Sequence, residues 1–307
     1  MKGEAGDAYF EAWKNGQIRH DLLSAAIETL QSDSGTIIDV GANIGVTALR
    51  MAQLRPQCQV WALEPSPTTF AYLRDNAAAA RNRNVHVVEA AVGSYDGSVG
   101  WSGSSADSSA SHLANNAYAD EIVPIITLDT FVVERGLQPN FVKVDVEGFE
   151  VDVINGARST IADYAPVFFV EMNSFTLAAY GRRNPLELTD LLRQLFTHVY
   201  WLCGNGQLRG LHSDSDVLAF MHEQFLSGLP VHDLICIPAG HAYDEDALAA
   251  AVSGIANYSA AAIEIASLQE QLAVAAKRLD DMAASRTWRL AMKISNFISP
   301  FRRMLRR

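Results

Sequence analysis

The sequence has few cysteines, and they form no recognisable group. Only Cys58, Cys203 and Cys236 occur among 307 residues, without a CxxC motif or a Cys/His cluster. This scarcity excludes a disulfide framework and argues against a zinc site. The composition therefore predicts a protein of a reducing compartment.

Long apolar runs are also absent. No stretch approaches the roughly 18 uncharged apolar residues that a membrane-spanning helix needs. The opening segment, MKGEAGDAYFEAWKNG, carries acidic and aromatic residues where a secretory signal would need an apolar run. We therefore expect a soluble, cytoplasmic protein, attached at most to the inner face of a membrane.

Basic residues are in the minority, with 24 Lys and Arg against 35 Asp and Glu and a formal net charge of −11. Such a charge repels nucleic acid unless the basic residues are gathered in one place. Seven of them lie between Arg286 and Arg307, where no acidic residue occurs. We expect no nucleic-acid partner and a separate role for this basic tail.

The chain does contain an alternation of short apolar runs with segments of helical period. This pattern is typical of a parallel sheet covered by helices on both faces. Two later apolar runs could close the sheet as an antiparallel pair, and residues 1–240 are interpreted as one open α/β domain. The predicted strands are Thr36–Val40, Gln59–Leu63, Val85–Glu89, Phe141–Asp145, Val167–Glu171, His198–Cys203 and Asp233–Pro238. The predicted helical segments are Asp7–Leu30, Ile44–Leu54, Thr68–Ala80, Phe149–Asp163 and Asp216–Phe225.

One segment, Gly93–Asn116, interrupts this alternation because Gly, Ser and Asn dominate it. It predicts a long loop, which could include a hairpin. Long insertions of this kind are either disordered or functional lids.

Beyond residue 240 the composition changes to Ala, Glu, Gln and Leu. Apolar residues from Tyr258 to Met282 follow heptad spacing, which predicts a helical extension over residues 241–285 and a homo-oligomer through a coiled coil. A helix packed on the domain is the alternative. Residues 286–307 form a basic amphipathic tail that could dock on a membrane surface or on another enzyme, or could only increase solubility.

The most specific motif is DVGANIG, Asp39–Gly45, between the first predicted strand and the next helix. Gly41 and Gly45 remove side chains that would block a ligand, and Asn43 tolerates a left-handed backbone. The glycine spacing differs from the GxGxxG of dinucleotide-binding turns. Because the Asp39 carboxylate disfavours phosphate and favours a cationic ligand, a nucleotide-dependent oxidoreductase is the weaker alternative.

A second carboxylate, Glu64, ends the second predicted strand and precedes Pro65. It could accept hydrogen bonds from both hydroxyls of a ribose. Glu64 or Asp39 alone could be a solvated or helix-capping residue. Together with the glycine turn they describe a site for a nucleoside that lacks phosphate and carries a positive group, and these are properties of S-adenosylmethionine.

A third motif, KVDVEG, begins at Lys143 and ends the fourth predicted strand. Ligands of open α/β sheets lie beyond the carboxyl ends of the strands, so Asp145 and Glu147 should face the cleft. Alternation places Lys143, Asp145 and Glu147 on one side, where three charges would be costly without partners. Glu171 and Asn173, at the end of the fifth strand, could reach the same cleft.

These motifs resemble those of the FkbM family of S-adenosylmethionine-dependent methyltransferases. The resemblance runs in order through DVGANIG, Glu64 and Pro65, NVHVVEAAVGSYDG, LDT, KVDVEGFE and VEMN. It implies a class I methyltransferase fold, a Rossmann-like and mostly parallel α/β sheet with a closing antiparallel strand, here followed by the C-terminal helical extension. It also implies S-adenosylmethionine as cofactor and an oxygen nucleophile as acceptor. The cofactor-binding residues expected from the motifs and the resemblance are Asp39, Gly41, Asn43, Gly45, Glu64, Pro65, Ala90, Ala91 and Asp145.

Removal of the acceptor's proton is the remaining chemical problem. Glu147 and Glu171 are candidates for the general base, and Asp145 is a further catalytic residue or a cofactor contact. The same carboxylates could instead hold Mg²⁺, which would lower the pKa of the acceptor, so the metal requirement stays open. His112, in the serine-rich segment, is an alternative base if that segment closes over the site.

The resemblance leaves the acceptor open, because family members act on hydroxyls of polyketides, sugars and other natural products. The segment ASRTWRLAMKI is similar to the C-terminal ends of bacterial glycosyltransferases. We therefore expect an O-methyltransferase of polysaccharide biosynthesis that acts on a sugar or surface-glycan precursor. Tailoring of a polyketide, or a non-catalytic scaffold with the methyltransferase fold, are the alternatives.

Overall fold

The computed structural model describes residues 1–16, 21–80, 84–103, 112–114, 119–202, 207–227 and 231–253. They belong to one compact unit, Met1–Ile255, in which residues 245–253 are helical. The predicted heptad seam, from Tyr258 to Met282, and the basic tail, residues 286–307, lie outside the described residues. The predicted domain boundary at residue 240 therefore stays a prediction.

The strands and helices alternate along the chain as the sequence pattern predicts. The strands are β1 (Ser34–Val40), β2 (Gln57–Leu63), β3 (Val85–Val88), β4 (Ala91–Val92), β5 (Gly97–Ser102), β6 (His112–Ala114), β7 (Glu121–Ile126), β8 (Pro139–Val144), β9 (Val167–Asn173), β10 (His198–Leu202), β11 (Leu208–Gly210) and β12 (Val231–Ile237). The helices are α1 (Ala8–Lys14), α2 (Asp21–Leu30), α3 (Val46–Leu54), α4 (Pro67–Ala79), α5 (Leu128–Arg135), α6 (Glu150–Asn155), α7 (Arg158–Tyr164), α8 (Ser174–Ala179), α9 (Pro185–Leu195) and α10 (Asp214–Ser227).

The main sheet has the strand order β11-β10-β12-β9-β8-β1-β2-β3. Strands β3, β2, β1, β8 and β9 are parallel, whereas β12 runs antiparallel to both β9 and β10. The predicted mostly parallel sheet with a closing antiparallel pair is therefore confirmed, and this is the class I methyltransferase arrangement. The short strand β11 extends the sheet by one strand that the sequence did not indicate.

The central strands are apolar throughout because helices cover both faces of the sheet. Ile37 and Phe141 are fully buried against α2 and α3 on one face. The next residues along each strand, Ile38 and Val142, are fully buried on the other face against α5, α6 and α9. This two-sided core fixes the carboxyl ends of β1 and β8 side by side.

The segment Gly93–Asn116 contains the hairpin that the sequence left open. Strands β5 and β6 form an antiparallel hairpin in a smaller sheet with the order β4-β7-β5-β6. Because β5 is rich in glycine and serine, its sequence does not indicate a strand. Its Trp101 nevertheless packs in a small core with Ala91, Val123 and Ile125. Tertiary packing, not local composition, therefore makes this segment a strand.

Two predicted helices are each divided in the structure. The leading segment forms α1 and α2, with residues 17–20 outside the described part of the chain. The segment Phe149–Asp163 forms α6 and α7, separated near Gly156. A β-carbon at Gly156 would clash with the carbonyl oxygen of Gly93, so close approach of the backbone explains this glycine.

Among the described residues, none of the helices has both the length and the apolar character that crossing a bilayer requires.

Candidate functional site

A cavity of about 350 Å³ opens at the carboxyl edge of the main sheet, where β1 and β8 lie side by side. Successive strands are added to the sheet on one side of β1 and then on the side of β8, so the strand order reverses between these two strands. Open α/β sheets bind ligands at such a reversal, beyond the carboxyl ends of the strands. The volume falls within the range of small-molecule pockets, roughly 300–1,000 Å³. The residues that line it include Tyr9, Gly41, Asn43, Thr47, Glu64, Pro65, Ala90, Ala91, Trp101, Lys143, Asp145, Glu147, Glu171, Asn173 and Val231.

Two predicted site residues, Asp39 and Gly45, do not line this cavity. Asp39 is completely buried beneath its wall. Gly45, with φ of 93°, is the N-cap of α3, and a β-carbon there would press on Leu73. The predicted residues that the structure brings together around the cavity are Gly41, Asn43, Glu64, Pro65, Ala90, Ala91, Asp145, Glu147, Glu171 and Asn173.

The glycine turn brings the ends of β1 and β8 into close contact. Gly41 has φ of 78°, and a β-carbon at this position would overlap the carbonyl oxygen of Asp145. The backbone N–H of Asp145 in turn donates to the carbonyl oxygen of Val40 at 3.1 Å. A side chain at residue 41 would therefore separate the two strand ends that form the cavity floor.

Glu64 lies at the cavity wall with both carboxylate oxygens oriented by the backbone. Its Oε2 accepts the N–H of Asn43 at 3.0 Å, and its Oε1 accepts the N–H of Ser66 at 2.9 Å. Burial raises the pKa of Glu64 to about 7, although these two hydrogen bonds oppose the shift. Carboxylate oxygens have further acceptor capacity, so Glu64 can bind a diol presented from the cavity.

A buried ion-pair cluster lies under the polar half of the cavity. Lys143 is the register neighbour of Asp39 on the adjacent strand. Its Nζ lies 3.5 Å from Oδ1 of Asp39 and 2.9 Å from Oδ2 of Asp145, and Thr47 donates to Oδ2 of Asp39 at 2.6 Å. Burial alone would lower the pKa of Lys143, but the carboxylates of Asp145 and Asp39 raise it above its ordinary value.

Three carboxylates lie close together in the lining of the cavity. The oxygens of Asp145, Glu147 and Glu171 lie within 4.8 Å of one another. Asp233 on β12 is paired in register with Glu171 on β9. Burial is the largest cause of the raised pKa of Glu171, followed by the charges of Asp145, Asp233 and Glu147. A glutamate of this kind retains a proton at a higher pH than usual and is a suitable proton acceptor.

Glu150 supports the loop that carries Glu147. Glu147 follows β8 with φ of 51°, in the left-handed region. The Oε1 of Glu150 accepts the N–H of Val146 at 3.3 Å and that of Gly148 at 3.1 Å. Because Glu150 is almost fully buried, burial raises its pKa to about 7. Its interactions with the loop backbone hold Glu147 beside Asp145.

Asp145, Glu147 and Glu171 could also hold a divalent cation, since oxygen ligands suit Mg²⁺. A cation bound there would lie close to the ammonium group of Lys143, which is 2.9 Å from Asp145. Like charges in a largely buried site repel strongly. The donor atoms therefore fit a metal, whereas the neighbouring charge opposes it.

Several lining residues could not be found from the sequence. Tyr9 reaches the cavity from α1, Trp101 from the smaller sheet and Thr47 from the first turn of α3. The only local signal was the position of Thr47 two residues after the end of DVGANIG. His112, an alternative base in the sequence analysis, belongs to β6, and its side chain lies outside the described part of the chain.

The sheet order, the glycine turn and the glutamate at the end of β2 together define a protein with the class I methyltransferase fold and a cavity suited to a nucleoside. The family model described as the methyltransferase FkbM domain matches residues 39–223, more than half of the chain. The chain belongs to this family, as the motifs indicated.

Curated relatives of this chain include two proteins that are named as methyltransferases. The 2-O-methyltransferase NoeI of Sinorhizobium fredii is 28% identical over 153 residues, 44% of this chain and 62% of NoeI. The hexuronic acid methyltransferase AglP of Haloferax volcanii is 26% identical over 187 residues, 60% of this chain and 72% of AglP. The aligned part of the chain thus spans less than two thirds of NoeI.

A solved structure, that of methyltransferase FkbM from Methylobacillus flagellatus, is similar with a TM-score of 0.40 and 18% identity. The similarity covers 62% of this chain and 42% of that one.

Proposed function

We propose that this protein transfers the methyl group of S-adenosylmethionine to a hydroxyl of a sugar or surface-glycan precursor. The observation that carries the proposal is the position of Glu64, whose two oxygens are oriented by backbone N–H groups at the wall of the cavity. This arrangement suits the two hydroxyls of a ribose. Membership of the FkbM family supports S-adenosylmethionine over other nucleosides.

The cavity divides into two parts with different roles. Glu64 would hold the ribose, while Pro65, Ala90 and Ala91 give small side chains near it that leave room for a flat base. Asp145 lies in the polar half, where it would bind the cationic end of the cofactor. When bound, S-adenosylmethionine supplies a methyl group on a sulfonium, which is a good leaving group.

We assign Glu171 as the general base that accepts the proton of the acceptor hydroxyl. Its raised pKa favours proton transfer, and it lines the cavity within reach of Asp145 and Glu147. Glu147 is the alternative base. Asp39 does not line the cavity, so its proposed role is to position Lys143 and, through it, Asp145.

The sugar acceptor is supported by the name of AglP, a hexuronic acid methyltransferase, and transfer to an oxygen is supported by the name of NoeI, a 2-O-methyltransferase. A cavity wall rich in carboxylates also suits a ligand with several hydroxyl donors. Polyketide tailoring and a non-catalytic scaffold remain the competing functions. Membrane-surface docking through residues 286–307, and pairing through the heptad seam, stay predictions.

The test is transfer of a tritiated methyl group from S-adenosylmethionine to a panel of neutral sugars, uronic acids, sugar nucleotides and hydroxylated polyketides. We expect label in a sugar. Label only in a polyketide would assign a tailoring role. Binding of cofactor without transfer to any member, including lipid-linked glycans extracted from cells, would favour the scaffold.

A further inference from the structure

The first fourteen residues form a segment, here called the N-terminal strap, that places a tyrosine in the cavity. Tyr9 belongs to α1 and lines the cavity. It precedes residues 39–223, the part of the chain that matches the FkbM family. The family match therefore assigns no role to Tyr9 or to the strap.

The strap is attached to α4 through Lys2, which forms an exposed ion pair with Asp75 and contacts the buried side chain of Asn76. The side chain of Asn76, on α4, accepts the N–H of Lys2 through Oδ1 and donates through Nδ2 to the carbonyl oxygen of Lys2 at 2.8 Å. The same Nδ2 donates to the carbonyl oxygen of Ile44 at 2.9 Å. Asn76 thus connects the strap to the glycine turn, which forms one wall of the cavity.

The position of Tyr9 within the strap is also fixed locally. Asp7 caps α1 by accepting the N–H of Phe10 at 2.7 Å, and Asp7 itself is buried. A capped first turn gives the side chain of Tyr9 a defined direction.

Tyr9 faces the polar half of the cavity. The charged groups around it are Lys143, Asp145, Asp39 and Glu171. Burial is the main cause that raises its pKa above the ordinary value, so its hydroxyl remains protonated and can donate. The side chain is partly exposed, and its hydroxyl forms no hydrogen bond with any residue that the structure describes.

We propose that Tyr9 binds the amino-acid end of the cofactor and that the N-terminal strap covers that end. The inference rests on the proposed function. Glu64 defines the ribose part of the cavity, and the charged groups that act on Tyr9 include Lys143 and Asp145. The amino-acid end carries an ammonium and a carboxylate; Asp145 suits the ammonium, and the Tyr9 hydroxyl donates to the carboxylate.

Two ligands distinguish binding of the amino-acid end by Tyr9 from a general effect of Tyr9 on packing. S-adenosylhomocysteine carries the amino-acid end, whereas 5′-methylthioadenosine contains the same nucleoside and thioether without it. Both are titrated calorimetrically into the wild type, Tyr9→Phe and the control Tyr164→Phe. Tyr164 is an exposed tyrosine on α7 and does not line the cavity.

We expect Tyr9→Phe to bind S-adenosylhomocysteine about tenfold more weakly, because a hydrogen bond to a charged group is lost. Its affinity for 5′-methylthioadenosine and both affinities of Tyr164→Phe should equal those of the wild type. Equal weakening for both ligands, or for neither, would overturn the inference. Failure of the wild type to bind either ligand would instead refute the proposed function.

Hydrogen exchange tests the covering role of the strap in the unaltered protein. Amides of α1 should exchange more slowly with S-adenosylhomocysteine bound, and 5′-methylthioadenosine should slow them less. Identical exchange in α1 with and without S-adenosylhomocysteine, at saturation, would show that the strap does not cover the cofactor.

Discussion

The Nζ of Lys143 lies 2.9 Å from Oδ2 of Asp145, at the point where the buried sheet meets the cavity. Lys143 is 4% exposed, and Asp39, its other partner, is completely buried. The ammonium group of Lys143 therefore pairs with two carboxylates, that of Asp39 inside the core and that of Asp145 in the lining of the cavity. The same lysine therefore stabilises the fold through Asp39 and positions Asp145 in the site.

Replacement of Lys143 by Met should lower the free energy of unfolding by about 3–5 kcal/mol at pH 8, because two carboxylates would lose their buried partner. Urea unfolding followed by circular dichroism measures this. The matched control is Lys14→Met, which removes an exposed pair with Glu11 and should have no measurable effect. A stability loss as small as in the control would mean that Asp39 and Asp145 do not depend on Lys143.

Without cofactor, the protein should become less stable as the pH rises from 5.5 to 8. Burial raises the pKa of Glu64 and Glu150 from 4.5 to about 7. The folded state therefore binds more protons than the unfolded state between these values, and stability decreases with pH by up to about 3 kcal/mol for each group. The contribution of the two groups to the free energy of unfolding is fully present below pH 4.5 and is lost as the pH rises through 7.

Glu150→Gln provides the control for this pH effect. A glutamine oxygen can still accept the N–H groups of Val146 and Gly148, but the side chain does not ionise. Urea unfolding at both pH values should show a smaller decrease with pH than in the wild type. Parallel pH profiles for the two proteins would contradict the assignment to Glu150.

Glu171→Gln should lower kcat by about 100-fold or more, with the affinity for S-adenosylhomocysteine largely kept, because a general base contributes at least this much. In the wild type, kcat/KM should fall on acidification at a pH above the ordinary range for a glutamate, since the pKa of Glu171 is raised. Steady-state kinetics on the accepted sugar measure both. Glu147→Gln is the matched variant, and a larger loss there would transfer the role to Glu147.

Methyl transfer should persist after treatment with a chelator, because Lys143 opposes a second cation beside Asp145. The measurement is the initial rate after dialysis against EDTA, with and without added Mg²⁺. Loss of activity that Mg²⁺ restores would assign Asp145, Glu147 and Glu171 as metal ligands instead.

Sequence patterns predicted the site residues that directly follow a single strand. The glycine turn after β1, Glu64 after β2 and Asp145 after β8 each follow an apolar run, and parallel strands bring their ends together. The alternation around Lys143 also indicated that its charge needed partners, and the adjacent strand supplies Asp39.

Residues that reach the cavity from elsewhere could not be predicted. Tyr9 lies well before β1, and no local pattern relates α1 to the sheet edge. Trp101 is in a strand whose glycine and serine content resembles a loop. Glu150 has the position of an ordinary acidic residue in the first turn of a helix, and only the structure shows that it accepts the backbone N–H groups of Val146 and Gly148.

The most direct test of the proposed cofactor site is a titration of S-adenosylhomocysteine into the wild type and Glu64→Ala at pH 8, where Glu64 is largely ionised. We predict saturable binding to the wild type and loss of affinity by at least about tenfold in Glu64→Ala, with the fold retained by circular dichroism. Equal affinity of the two proteins would contradict the assignment of Glu64 to the ribose.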